Sequence, residues 1–250
     1  MPEFCFKKAA EIPDFPSLAE ELMKLGWAEF ILRDPVAVGA WEDFYRFFGD
    51  YGFAVWEMSS DSPAAIGLTA PLAWDEKAET LPEEGWQWVL RQSISDHLAG
   101  RKPRTLSAVA AVVHPDFRGH GLAAEIVRRM MWIAVENGFS RVIAPLRPSM
   151  KFRYPLTPME NYLRWRTADG AAFDPWLRVH VSLGAEIVGV CRRSIVIEAG
   201  VDAWAKWTGL EFPESGEYVI PLGDVPLRVD VSAGRGIYVA PGIWVVHHFS

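Results

Sequence analysis

In Arg118-Gly119-His120-Gly121-Leu122-Ala123, two glycines alternate with larger residues immediately ahead of a helical pattern. Glycine enters the left-handed backbone region without a Cβ clash, so the run can fold tightly and gather several N–H groups at one point. That point falls at the positive end of a helix dipole, and the chemistry it suits is the binding of a phosphate or diphosphate. The small Ala123 keeps side-chain bulk away from an anion in the first helical turn. No Gly-Lys-Ser/Thr follows, as a nucleoside-triphosphate loop requires, and the third glycine of a dinucleotide fingerprint is missing.

Such a turn works only if rigid elements hold it on both sides. Ser107 to Val113 is an apolar run without alternation, as expected of a strand buried on both faces, and His114-Pro115 stops it. After the turn, Ile126, Val127, Met130, Met131, Ala134 and Val135 recur at three- and four-residue spacing, and Gly138 stands where a left-handed cap belongs. Arg141-Val-Ile-Ala144 begins a second apolar strand. The pattern is therefore strand, glycine turn, helix, strand.

The remaining composition narrows the class. The chain has 250 residues, half of them apolar and 23% charged, which predicts a sizeable buried core and no long disordered stretch. Twelve tryptophans point to a core rich in aromatics. A net charge of −7 argues against nucleic acid as a partner. Cys5 and Cys191 are too few for a disulfide framework, so a reducing, cytoplasmic setting is expected. No basic-then-apolar leader and no apolar run of transmembrane length is seen, so no membrane association is expected.

Arg118 to Ala123 resembles the Arg/Gln-x-x-Gly-x-Gly/Ala loop of the Gcn5-related N-acetyltransferase (GNAT) superfamily. The resemblance implies a GNAT-like α/β (α+β) fold, with a mixed, mostly antiparallel sheet, helices on both faces and two central strands that splay. It implies that Arg118, Gly119, His120, Gly121, Leu122 and Ala123 hold the pyrophosphate of acetyl- or acyl-coenzyme A through their backbone. The preceding strand, at Val112 and Val113, would pair with the pantetheine arm as an added strand does. The family commonly places a tyrosine proton donor four residues before the glycine of a Leu-Gly-Phe element. Here His180-Val-Ser-Leu-Gly-Ala185 puts His180 at that place, and imidazole can serve as acid or base near neutrality.

A second resemblance runs from about Trp27 to the C-terminus. Arg147-Pro-Ser-Met-Lys151, Tyr154-Pro-Leu-Thr157, Asp169-Gly170, Phe173-Asp-Pro-Trp-Leu-Arg178 and His180 resemble a branch of free-standing bacterial GNAT proteins, as do Trp207-Thr-Gly209 and Phe212-Pro-Glu-Ser-Gly216. That branch is similar to the GNAT-like loading domains of polyketide synthases, which decarboxylate malonyl-coenzyme A and load a carrier-protein thiol. There a histidine and a threonine line the acyl pocket. His180 matches the first and Ser149 stands for the second, with Thr157 as a rival. Trp74 and Arg193 are candidates for contacts to the substrate. Arg178 is a weaker one, Tyr154 or Tyr162 could replace His180 as the acid, and His114 could touch the thioester region. No metal is expected, His247-His248 having no carboxylate or cysteine at ligand spacing. The expected function is acyl transfer from coenzyme A to an amine or other small acceptor. The alternatives are loading of an acyl carrier protein after decarboxylation, or a non-catalytic acyl-coenzyme A module.

Around this core, the expected organisation is a domain over residues 1–200 and a β-rich extension, 201–250, packed on it. Thr80-Leu-Pro-Glu83 and Thr157-Pro-Met-Glu160 have the form of capping boxes, and Asp174-Pro175 that of a helix start. Ala185–Val190 and Ser194–Glu198 read as a hairpin across Cys191–Arg193. The tail reads as a helix at Trp204–Trp207 and four short strands, at Tyr218–Ile220, Leu227–Val231, Ile237–Val239 and Ile243–Val246.

Overall fold

A computed structural model describes residues 2–249. The chain opens with β1 (Phe4–Lys8), α1 (Phe15–Gly26), α2 (Glu29–Leu32) and α3 (Pro35–Phe48), followed by β2 (Gly52–Glu57) and β3 (Ser62–Leu72). Next come α4 (Gly85–Leu98), β4 (Thr105–Val113), α5 (Leu122–Glu136) and β5 (Arg141–Leu146). The chain then forms α6 (Met159–Tyr162), α7 (Pro175–Ser182), β6 (Glu186–Gly200), α8 (Val201–Thr208), β7 (Gly216–Tyr218), β8 (Leu227–Asp230) and β9 (Arg235–His248).

One mixed sheet joins all nine strands in the order β1-β2-β3-β4-β5-β9-β8-β7, with β6 also paired to β9. Every pairing is antiparallel except β4 with β5. Strand alternation sends side chains to two different cores. Ala54 joins the core built with α1, α3, α4 and α8, while its neighbours Phe53 and Val55 join the one under α5. A third cluster, with Tyr162 and Leu177, packs α6 and α7 on Ala144 and Val245. The sheet thus carries helices on both faces, as expected.

Local chemistry fixes several element ends. Asp34 Oδ1 accepts from the N–H groups of Val36 and Ala37, with Pro35 in the first turn of α3. Asp174 does the same for Trp176 and Leu177 at α7, as its Asp-Pro sequence predicts. Gly138 ends α5 at φ 72°. Two capping boxes do not form. Thr80 closes a short 3-10 turn and donates to the Lys77 carbonyl, and α4 begins five residues later. Thr157 lies outside α6, which Pro158 precedes without a side-chain cap. In the first case Pro82 keeps Leu81 non-helical, so the helix starts beyond the reach of the hydroxyl. In the second the Thr157 N–H is turned back to the Tyr154 carbonyl and the helix starts only at Met159.

The long strands also differ from expectation. β6 is one strand, not a hairpin, and it pairs with β9 on both sides of an irregularity between Cys191 and Ile195. The last two expected strands likewise fuse into β9. Pro241 sits opposite that irregularity, where a missing N–H interrupts no regular ladder.

Trp204 ties α8 to this sheet. Its ring is fully buried against Phe30 and Tyr238, and its indole N–H donates to the Gly236 carbonyl at 2.9 Å. Trp204→Ala is expected to cost about 3–5 kcal/mol, from the cavity it leaves. Urea unfolding followed by circular dichroism should show one transition at a lowered midpoint.

Candidate active site

β4 and β5 pair only at Leu106↔Val142 and Ser107↔Ile143, then part. A bulge reinforces the opening: the β3–β4 register steps from Leu68↔Ala110 to Thr69↔Ala108 and leaves Val109 without a partner. The freed Val109 carbonyl accepts from the Trp86 indole N–H at 2.8 Å. A cavity of about 110 Å³ fills the fork between the strands, walled by Trp27, Trp86, Trp176, Ile195, Ser194 and Arg147. Trp27 reaches it because Gly26 lets the end of α1 sit on β4. A Cβ at Gly26 would lie 2.9 Å from a methyl of Val112.

At the open end of β4, Gly119 and Gly121 have φ of 84° and 80°, and the space where a Cβ would stand is empty at both. Gly121 is the N-cap of α5. Among the described residues, no backbone group accepts from the N–H groups of Gly119 to Ala123, so five donors at the start of α5 are without a backbone partner. His120 Nδ1 lies 3.2 Å from the Arg118 carbonyl and steadies the turn, while Leu122 anchors it in the core. This donor set fits the diphosphate of acyl-coenzyme A, and the fork offers an unpaired strand edge for the pantetheine arm, beginning where Val112 and Val113 end β4.

Other expected residues fall elsewhere. His180 is buried, with Nδ1 3.0 Å from His247 Nε2, and its ring stands edge-on behind Trp176. Trp176 lines the cavity and His180 does not. Burial, with a smaller contribution from His247, lowers the His180 pKa to about 3. A neutral imidazole held this way is a poor proton donor, so this geometry does not supply the expected acid. Ser149 is exposed, and both its N–H and its hydroxyl donate to Asp174, the cap of α7. Trp74 is buried at the closed end of the fork, where its carbonyl accepts from Thr105 and the Arg141 guanidinium lies over its ring. Arg193 points outward next to Ser194 and does not line the cavity.

The weaker candidates are similarly engaged. Arg178 donates to the Ala172 and Phe173 carbonyls. Tyr162 donates to Asp174, and burial raises its pKa well above the phenol value. Tyr154 packs among Tyr162, Trp165 and Phe173. Among the described residues, no cluster of three metal-ligating side chains occurs, and no helix is long and apolar enough to cross a membrane.

Arg147 is the charged residue that the cavity does contain. Its Nε donates to Asp224 Oδ2 at 2.5 Å and its Nη2 to the Leu222 carbonyl at 2.7 Å. Burial opposes its charge, but Asp224 and Tyr238 outweigh that and raise its pKa. Burial lifts the Asp224 carboxyl above the usual carboxylate range, against the pull of Arg147. In sequence, Arg147 stands out only at the head of the Arg147–Lys151 run that carries the resemblance, just past a core strand where ligand-binding residues of open sheets collect, with no role assigned to it.

A sheet forked between two parallel strands, with unpaired backbone donors at the start of the following helix, is an arrangement suited to an acyl-coenzyme A. Comparison with known proteins agrees. The chain is 31% identical to an arginine N-acetyltransferase of Aspergillus versicolor, over 98% of this chain and 94% of the relative. Its fold is similar to that of the loading GNAT-like domain of CurA from Lyngbya majuscula, with a TM-score of 0.58, 15% identity and 98% of each chain covered. A GNAT-like decarboxylase, GphF, solved with isobutyryl-coenzyme A, aligns at a TM-score of 0.50 and 15% identity, again over 98% of each chain. No protein-family model matches the chain. The chain belongs to the Gcn5-related N-acetyltransferase superfamily and is an acyl-coenzyme A-dependent acyltransferase of that type.

Gly121→Ala forces a side chain into left-handed backbone, a penalty of about 1–2 kcal/mol. Coenzyme A binding, read by calorimetry, should weaken about tenfold. Gly138→Ala, at the far end of α5, should leave it unchanged. His180 titrates near 6.5 when unfolded and near 3 when folded. Between these values the unfolded chain binds more protons, so stability is full above pH 6.5 and falls as pH drops. The loss from His180 should reach about 2 kcal/mol by pH 5. Urea midpoints of the native chain and His180→Phe, compared from pH 7 to 5, should show the variant losing less.

Proposed function

We propose that the chain transfers a short acyl group from coenzyme A to the α-amine of a small amino-acid acceptor of the arginine type. The observation that carries this is Arg147, a cation on the wall of a cavity whose other lining is aromatic and aliphatic but for Ser194. Its Nε and Nη2 are engaged by the protein, and Nη1, with the Tyr238 hydroxyl close to the guanidinium, can add a carboxylate. The indole faces of Trp27, Trp86 and Trp176 suit the stem and guanidinium of arginine, through apolar contact and cation–π attraction. The arginine N-acetyltransferase among the relatives supports the same acceptor class.

In this reaction the acceptor nitrogen attacks the thioester carbonyl carbon; the C–N bond forms and the C–S bond breaks. The nitrogen gives up a proton and the departing thiolate takes one. The β4 edge beyond Ser107, released from β5, carries backbone N–H groups that can stabilise the oxyanion. The tryptophan walls exclude water, and the Arg118–Ala123 backbone holds the diphosphate. Among the described residues no histidine, tyrosine, cysteine or carboxylate lines the cavity, and in this reading the amine proton passes to solvent at the mouth. Arg147 would equally hold a malonyl carboxylate, and that observation keeps decarboxylation as the second function to test.

Purified protein should be incubated with acetyl-coenzyme A and a panel of amines, and with malonyl-coenzyme A alone, with products read by mass spectrometry. Acetylarginine is the expected product, with kcat/KM for arginine rising about tenfold per pH unit until the α-amine itself is deprotonated. A plateau at an enzyme pKa near neutrality would instead put a side-chain base in the reaction. Malonyl converted to acetyl-coenzyme A without any amine would replace this function with decarboxylation.

A further inference from the structure

We infer that the turn Ile220–Val225, between β7 and β8, is a specificity element of the transfer site. In it, Asp224 is the positioning residue that sets the Arg147 guanidinium for an acceptor carboxylate. This rests on the acceptor proposed above.

The topology brings the two together. β5 and β8 pair with β9 at different heights, β5 from Ile243 to His248 and β8 from Arg235 to Ile237. The turn leading into β8 therefore abuts the end of β5, where Arg147 leaves the sheet. Three side chains clamp that turn. Arg147 donates to Asp224 Oδ2 and to the Leu222 carbonyl. Lys151, with no exposed surface, donates from Nζ to the Asp224 carbonyl at 2.6 Å and to the Tyr154 carbonyl at 2.8 Å. The Tyr238 hydroxyl accepts from the Asp224 N–H at 2.9 Å.

The turn carries costs that packing alone does not require. Leu222 sits at φ 60°, a conformation rare for a branched side chain, yet that side chain is 48% exposed. The strain serves its carbonyl, which faces Arg147. Asp224 is completely buried, and its Oδ1 has no hydrogen-bond partner. With Nε and Nη2 held by the turn and the Tyr238 hydroxyl beside the guanidinium, its plane is fixed and Nη1 is the donor that can add a ligand. Carboxylate recognition by arginine depends on that planar orientation.

The test is initial-rate kinetics with arginine and with agmatine, which lacks the carboxylate. The ratio of the two kcat/KM values reads the carboxylate's contribution. The native chain should favour arginine about ten- to a hundredfold, the value of one charge-assisted hydrogen bond. Asp224→Asn, which keeps the shape but not the charge, should lower the ratio about three- to tenfold, through KM for arginine and not through kcat. On an Arg147→Met background, Asp224→Asn should lower the ratio no further. Equal losses on both acceptors, or additive losses in the double variant, would mark Asp224 as merely structural and overturn the proposal. If Asp224→Asn does not fold, Tyr238→Phe removes the acceptor of the Asp224 N–H and carries the same expectation. A native chain that acylates arginine and agmatine equally also overturns it. One that acylates neither removes the proposed acceptor itself.

Discussion

The parting of β4 and β5 is the constraint on which the site depends. In the middle of a sheet, unpaired backbone groups are expensive, and a gap normally closes by strand pairing. Here each strand is held open from its outer side. β4 pairs with β3 at eight positions and β5 with β9 at six, against two between themselves. The bulge at Val109 adds a bend, and the Trp86 indole takes the carbonyl it releases. The opening is thus a built feature of the sheet.

The tryptophans explain how such an opening survives in an apolar core. Each offers a large face and a single N–H, and three of those N–H groups are spent on stray carbonyls: Trp86 on Val109, Trp244 on Pro82 and Trp204 on Gly236. The first two secure the fork and the segment before α4, and the third joins the chain's last helix to β9. An aromatic wall of this kind excludes water from a reacting thioester. Gly85 shows how close the packing is, since a Cβ there would lie 2.5 Å from the Ser194 hydroxyl that accepts from Trp86 N–H.

What sequence makes legible is what is local. The Arg118–Ala123 turn, the periodicity of α5, the Gly138 cap and the Asp174 cap each arise from residues a few positions apart, so pattern alone finds them. The long strands β6 and β9 were divided because Arg192-Arg193 and Pro241-Gly242 look like turns. Their irregularity is tolerable only because the two stretches face one another, which pairing reveals and spacing does not. His180 was drawn into the site by its distance from Gly184, yet the helix presents Trp176 to the cavity and turns His180 towards His247. The meeting of Arg147 with Asp224, 77 residues apart, exists only once β5 and β8 have both docked on β9.

That last pair bears on why the C-terminal strands belong to the site. Removing two charges from water costs several kcal/mol per ion, and the attraction regained is often no better than good apolar packing. Stability alone therefore gives no reason for Lys151 and Asp224 to be buried beside the partly exposed Arg147, with one carboxylate oxygen unmatched. An oriented cation at the cavity wall does give a reason. A lone arginine there would swing among rotamers and lose entropy on each encounter with a ligand, whereas one held at Nε and Nη2 meets its anion already placed. The anchoring carboxylate cannot come from β4, β5 or the helices over them, whose surfaces line an apolar fork. It comes from the turn before β8, the neighbouring segment free to carry a charge without crossing the cavity.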